Sequence, residues 1–327
     1  MRWGVDHSVS ELMQGEKYLH WWRELDGPPD THAVGGQDIR PHPTPPVAAR
    51  PTRLSVTQIE TWMRDPYSIY ASEILKLRAL APIDQAVDAA TYGSLMHRVF
   101  DRFLQTYPEG DLPTGGYDAL LEIGEEVLGG YRSLPAVWTF WWPRFLRIAA
   151  WFVETEGRRR NIVRKVHAEV SGAITIPTST GSFRLVARAD RIDELIDGGI
   201  AVVDFKTGAP PSKKEVMAGF APQLPLEAAM VSRGGFSGIP SGDISELAFW
   251  RLSGGREPGA ISAAADDAAT VAAEAYAGLV ALVAKFDNET TPYEARPRPD
   301  KAPKYSDYEH LARVKEWSTA TDGETES

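Results

Sequence analysis

Asp190, Asp204 and Lys206 stand in the pattern Asp-x13-Asp-x-Lys. Two carboxylates held about 7–8 Å apart beside an ammonium are costly unless a cation lies between them. Mg2+ takes one or two carboxylates and keeps several waters that a phosphate can displace. The pattern is therefore what a metal-dependent phosphodiesterase needs, provided the fold brings the three together. The competing reading is a solvated surface hairpin with a salt bridge. The apolar run before Asp204 argues against it, because charged groups that follow a buried run are held in place for chemistry more often than for solubility.

The elements that must position these residues are two strands and a turn. Leu185-Val186 and Ile200-Ala201-Val202-Val203 are apolar and β-branched, and Asp197-Gly198-Gly199 between them is a hairpin signal. Side chains alternate along a strand, so Asp204 and Lys206 share a face with Ile200 and Val202, while Ala201, Val203 and Phe205 face a core on the other side. A two-residue loop would put Asp190 on the opposite face from Asp204. A three-residue loop, Asp197-Gly198-Gly199, sets Asp190 opposite Lys206 and diagonal to Asp204 on one face.

Ala189-Asp190-Arg191-Ile192-Asp193, followed by Val203-Asp204-Phe205-Lys206-Thr207-Gly208, resembles the core of the PD-(D/E)XK nuclease superfamily in its RecB-like branch. Leu54 to Trp62 and Arg64 to Ala71 extend the likeness to the nuclease region of the AddB family, the B subunits of AddAB helicase–nucleases. The resemblance covers most of residues 15–317. It implies an α/β, restriction-endonuclease-like fold: a central mixed β-sheet flanked by helices, with helical additions at both ends. It implies that Asp190 and Asp204 hold Mg2+ or Mn2+, helped by His97 and the backbone carbonyl of Phe205, and that Lys206 and Gln223 complete the catalytic set. Gly93-Ser94-Leu95-Met96-His97 matches a Gly-x-x-x-His helix that supplies the histidine, and Glu169 matches an acidic residue of the first sheet strand. Glu227 stands four residues after Gln223, where the family has a tyrosine against the DNA strand. The partners implied are DNA, as linear duplex ends or single strand, and an AddA-type helicase–nuclease subunit.

Composition sets limits on this reading. The 327 residues suffice for one large domain or two small ones, and 43% apolar content supports a substantial core. The formal charge of 35 − 45 = −10 argues against a protein that coats polyanions generally. There are no cysteines, so the chain can hold no thiolate-ligated iron–sulfur cluster. Asp65 stands before Pro66, where many RecB-like nucleases carry a cluster cysteine. No Gly-x-x-x-x-Gly-Lys-Ser/Thr loop occurs, so ATP hydrolysis is not expected of this chain. No apolar leader and no long apolar run is evident, so the expectation is a cytoplasmic protein without a membrane partner.

Along the chain, residues 1–51 read as the tail of a preceding domain plus a proline-rich linker, or alternatively as a helix docking back on the domain. Residues 52–317 read as the nuclease domain, and 318–327 as a disordered polar tail. Ser55-Val56-Thr57-Gln58 is a capping box, followed by a helix through Trp62 and a second helix through Leu77. Tyr92 to Leu104 is an amphipathic helix. Residues 117–160 read as helical, with Trp138, Trp141, Trp142, Phe145, Trp151 and Phe152 at core spacing. Val166 to Ile176 and Leu247 to Leu252 read as strands, and Ala263 to Phe286 as a helix. The basic candidates for phosphate contact are Arg158 and Arg160, in the run Arg158-Arg159-Arg160, and Lys213 and Lys214 in the loop after the hairpin.

Overall fold

The computed structural model describes residues 40–80, 88–303 and 305–321. The readings made for residues 1–39 and for 322–327 lie outside the described residues. Residues 42–308 form one unit. A second is represented by Arg40, Pro41 and 309–321, where helix α9 (Val314–Thr321) buries Trp317 and the Trp317 indole donates to the Ala312 carbonyl at 2.8 Å.

The larger unit is built on a six-stranded mixed sheet: β1 (Arg53–Ser55), β2 (Val163–Thr178), β3 (Gly181–Leu195), β4 (Ile200–Lys206), β5 (Ile244–Leu252) and β6 (Gly259–Ala263). Long antiparallel β2 runs along one side of β3. On its other side β3 changes neighbour: β1 pairs with it in parallel from Arg184 to Val186, and β4 pairs antiparallel from Arg191 to Glu194. β5 continues the sheet in parallel with β4, and β6 closes it antiparallel. This is the mixed sheet flanked by helices that the sequence implies.

β4 is buried along nearly its whole length, and its alternation feeds two cores. Ile200 and Val202 enter the first, under helices α1 (Val56–Arg64), α7 (Gln223–Ser232) and α8 (Ala268–Asp287). Ala201, Val203 and Phe205 enter the second, under α3 (Ala89–Thr106), α4 (Gly116–Leu128) and α5 (Pro135–Arg159). Phe145 and Phe152 are fully buried there, with the tryptophans of α5 packed against the same core, so that aromatic run is core. Gly124 of α4 is required by this packing: a Cβ would stand 2.2 Å from the Phe145 ring. By length and composition α8 could cross a membrane, yet Val271, Leu279, Val283 and Phe286 pack it onto the first core.

Local chemistry sets most boundaries. The Ser55 side chain accepts from the Gln58 amide while the Gln58 side chain accepts from the Ser55 amide, which is the expected capping box. Asp65 stops α1, and α2 (Pro66–Ile69) then gives one wide turn at Tyr70–Ile74. The helix does not reach Leu77, because Lys76 turns left-handed at φ 57°. Nor does the late helix begin at Ala263. That residue pairs with Ala248 in β6, and Asp267 caps α8 by accepting from the Thr270 amide at 3.0 Å. Residues 42–50 are held to the unit: the Arg50 guanidinium donates to the carbonyls of Pro45, Phe286, Asn288 and Glu289.

Candidate active site

The hairpin puts the acidic pair face to face, in a register different from the expected one. Leu195 N–H donates to the Gly199 carbonyl at 2.9 Å, so the loop is Ile196-Asp197-Gly198 and Gly199 already belongs to the ladder. Gly198 takes the left-handed conformation, φ 92°, that such a turn needs. The strands therefore slide by two residues relative to the sequence reading. The last paired residues are Arg191 and Val203, and Asp190 and Asp204 follow them directly across from one another rather than diagonally.

Beyond that point the ladder is finished by side chains. Asp190 Oδ2 accepts from the Phe205 backbone amide at 2.9 Å, and Asp190 Oδ1 lies 3.2 Å from His97 Nδ1. Lys206 donates to Asp204 Oδ1 at 3.0 Å, and its Nζ also forms an ion pair with Oδ2 at 2.8 Å. Gln223 Nε2, at the start of α7, donates to Asp204 Oδ1 at 3.0 Å and to Glu227 Oε1 at 3.3 Å. Gly93 lets α3 come close enough for His97 to reach the pair: a Cβ there would lie 3.1 Å from Thr207 Oγ1.

Asp190, Asp204, Lys206, His97 and Gln223 are thus brought together, as the sequence implied. Phe205 joins them through its amide, which fixes Asp190. Glu169 stands directly across the β2–β3 ladder from Asp190, beside Asp101, with a left-handed φ of 55°, and there forms an ion pair with Arg188. Two residues escaped the sequence reading. Glu227, noted there only as a departure from the family, is 1% exposed and joins the site through Gln223, its Oε2 without a donor. Asp101, buried on α3 and facing Glu169, stands one helical turn after His97. That i,i+4 spacing was the signal that could have found it.

The basic candidates are largely committed elsewhere. Arg160 is buried: it binds Glu156 at 2.5 Å and the carbonyls of Tyr107 and Gly110, so it is a structural residue and not a phosphate contact. Arg158 is exposed and paired with Glu154 one turn back. On α6 (Lys213–Met217), Lys213 pairs with Asp266 and Lys214 is exposed.

The electrostatics follow from burial. Asp204 is 2% exposed. Desolvation pushes its carboxyl up, Lys206 partly offsets this, Asp190 adds to it, and the result is about 6. Burial, then the charges of Asp204 and Asp190, hold Glu227 well above the usual carboxylate range. Burial and the adjacent Glu169 push Asp101 to about 7. For Lys206 burial pulls downward, but the charge of Asp204 outweighs it, so the ammonium is held above its ordinary value. His97 behaves alike: burial lowers it, its bond to Asp190 raises it more, and the net direction is upward.

Three carboxyls therefore bind protons more tightly folded than unfolded. The stability this contributes is present below about pH 4 and is lost as pH rises through the folded values. The metal-free protein is expected to melt at a lower temperature at about pH 8 than at about pH 5 in scanning calorimetry. The exposed capping aspartates, Asp88 and Asp267, have lowered values and titrate below that window. A higher melting temperature at the alkaline end would contradict the assignment.

Among the described residues no three Asp, Glu or His side chains converge to hold a metal ion alone. Mg2+ does not require three, since it keeps most of its water. The donors present are hard carboxylate oxygens with the His97 imidazole beside them, and the buried Asp204 Oδ2 makes no hydrogen bond beyond its ion pair with Lys206, so the site fits such an ion.

A pair of carboxylates beside an ammonium at the end of a mixed sheet is an arrangement suited to hydrolysing phosphodiesters. A model of the PD-(D/E)XK nuclease superfamily matches residues 53–305, and the chain belongs to that superfamily. Membership implies a nuclease in general terms, in a superfamily whose members typically use divalent metals. An uncharacterised protein of Rickettsia bellii is 31% identical over 189 residues, covering 57% of this chain and 22% of that protein. Uncharacterised protein RC0550 of Rickettsia conorii is 30% identical over 192 residues, covering 57% and 23%. The matched segment thus spans less than a quarter of the length of these curated relatives. The solved structure of SSO0001 covers 84% of this chain and 88% of its own at 13% identity and a TM-score of 0.32, too loose a likeness to bear on the site.

Proposed function

We propose that the chain is a Mg2+- or Mn2+-dependent deoxyribonuclease, an exonuclease that works as the AddB-type nuclease of a cytoplasmic helicase–nuclease in double-strand break repair. The observation that carries the nuclease reading is the meeting of Asp190, Asp204 and Lys206 at the end of the β3–β4 ladder. The narrower AddB-type assignment, with an AddA-type partner at duplex ends, rests on the resemblance of Leu54 to Trp62 and Arg64 to Ala71.

Asp190 and Asp204, with the Phe205 carbonyl and His97 beside them, would hold the ion. When bound it would lower the pKa of water and offset charge on the phosphate. The chain's own residues do the rest. The Phe205 amide fixes the Asp190 rotamer. Gln223 fixes Asp204 from the α7 side. Lys206, kept as an ammonium, offers its proton-bearing face to the phosphoryl oxygens and to the attacking water. Glu227, its carboxyl held well above the usual range by burial, accepts from Gln223 and braces it.

A second reading, a nuclease fold that binds DNA or docks a subunit without cutting, draws on Glu227 in place of tyrosine. Incubation of end-labelled linear DNA with Mg2+ separates the two. The wild type is expected to degrade it, with and without the helicase partner, and Asp204→Ala is expected to lose that degradation while still binding DNA. A wild type inert under all these conditions favours the non-cutting reading.

A further inference from the structure

The stretch where β3 exchanges β1 for β4 opens onto a groove of about 680 Å³, within the range of about 300–1,000 Å³ usual for ligand clefts. Gln223 and Glu227 line one end of it, so it runs into the candidate site. Along it lie Arg53, Arg184 and Arg188. Register explains their alignment. Arg53 is paired across from Arg184, and residues directly opposite in a ladder project to the same face. Arg184 and Arg188 are even-numbered on one strand, turned away from the core that Leu185, Ala187 and Ala189 enter, and share that face as well. The hydroxyls of Ser55, Ser171 and Ser237 line the same groove. Past Arg53 it continues into a second hollow of about 790 Å³, which shares Arg53, Ser55 and Val186 with the first.

The charge state of these arginines sets them apart. The chain is net acidic at −10, and Arg158, Arg159, Arg160, Arg164 and Arg191 are all spent on carboxylates. Arg188 is paired with Glu169 at the inner end. Arg53 and Arg184 are exposed, and among the described residues neither guanidinium has a carboxylate partner. Two unneutralised guanidiniums side by side on paired strands, with serines lining the same groove, make an anion track. The line is single: no second row of free cations faces it across the groove among its lining residues, as the second backbone of a duplex would require.

Resting on the nuclease reading above, we propose that this groove binds the phosphate backbone of one polynucleotide strand several nucleotides from the scissile bond. Arg53 and Arg184 neutralise two phosphates, and β3 then leads the strand past Arg188 to Asp190. Sequence plays no part in this contact, since guanidinium–phosphate pairing carries no base information.

The test is fluorescence anisotropy of a labelled oligo(dT) strand in chelator, where no cutting can occur, across a series of salt concentrations. Each phosphate contact on a single strand contributes about 0.7 to the slope of log affinity against log salt. The Arg53→Ala/Arg184→Ala variant is expected to bind more weakly, with a slope shallower by about 1.4; over a fourfold rise in salt the wild type then loses about sevenfold more affinity than the variant. Arg53→Lys/Arg184→Lys keeps both charges and is expected to restore the slope, which separates lost contacts from misfolding. Arg158→Ala, removing an exposed but paired arginine outside the groove, is expected to leave it unchanged. If the double alanine variant keeps the wild-type slope while the wild type still degrades DNA with Mg2+, the track is overturned and the nuclease reading stands. If the slopes behave as stated but the wild type never cuts, the nuclease reading falls and the track stands. Equal slopes with a preference of both proteins for blunt duplex also overturn it.

Discussion

Lys206→Ala is expected to reduce DNA cleavage by about 10²–10³-fold, the usual loss when one preorganised donor is withdrawn from a developing oxyanion. The fall should lie in kcat, because this ammonium meets the phosphoryl oxygens where charge builds rather than along the strand. Divalent-ion affinity, read by calorimetry, should change little, since Asp190 keeps its bond to the Phe205 amide and Asp204 its bond from Gln223. A second signature distinguishes this from general damage. Asp204 is buried, and Lys206 is its main favourable charge. Without it the Asp204 pKa rises beyond about 6, and the metal-free variant should lose more stability relative to wild type at alkaline pH than at about pH 5. Undiminished cleavage by Lys206→Ala would remove the catalytic assignment altogether.

Arg191→Ala is expected to give the largest loss of stability, about 3–5 kcal/mol, the range for breaking a buried ion pair from one side. Arg191 is fully buried next to Asp190. It donates to Glu156 at 2.6 and 3.2 Å and to Asp193 at 2.7 Å, and its guanidinium carbon lies 4.9 Å from the centre of the Trp250 ring. Arg160 also holds Glu156, and Arg159 also holds Asp193, so truncation leaves both carboxylates partly paired but desolvated. For a domain of this size the loss corresponds to a melting temperature lower by roughly 6–20 °C. Denaturant unfolding measures it directly. A change below about 1 kcal/mol would mean that Arg159 and Arg160 suffice for the acidic pair and that Arg191 contributes mainly its bulk.

The two predictions fall on adjoining strands, and they divide what the residues reveal from what they hide. The acidic pair, the lysine, the histidine helix and Gln223 could be read because their signals are local. Alternation along β4 fixes which face Asp204 and Lys206 share, the Ser55 box fixes where α1 begins, and Gly93 and His97 are one turn apart. The exact register was hidden, because Asp197-Gly198-Gly199 looks like a loop wherever it is cut. The deciding fact is that Gly199 accepts from Leu195 and so belongs to the strand. The run Arg158-Arg159-Arg160 was misleading for a different reason. The partners that turn Arg159 inward, Asp193 and Glu246, come from distant strands, and periodicity on one helix does not contain them. Glu227 was visible as an anomaly, but only the packing of α7 under β4 turns it into a neighbour of Asp204.

The change of neighbours along β3 has a consequence for when the site is assembled. β1 precedes β3 by more than a hundred residues, His97 meets Asp190 across a separation of 93, and Gln223 arrives only after the hairpin is complete. Contacts so remote in the chain form late, because loop closure must be met before they are rewarded. A polypeptide still emerging from the ribosome with β3 unpaired holds none of the finished centre. On the nuclease reading proposed above, a nascent chain that has not reached Gln223 would hold no assembled cutting centre, with no inhibitor required.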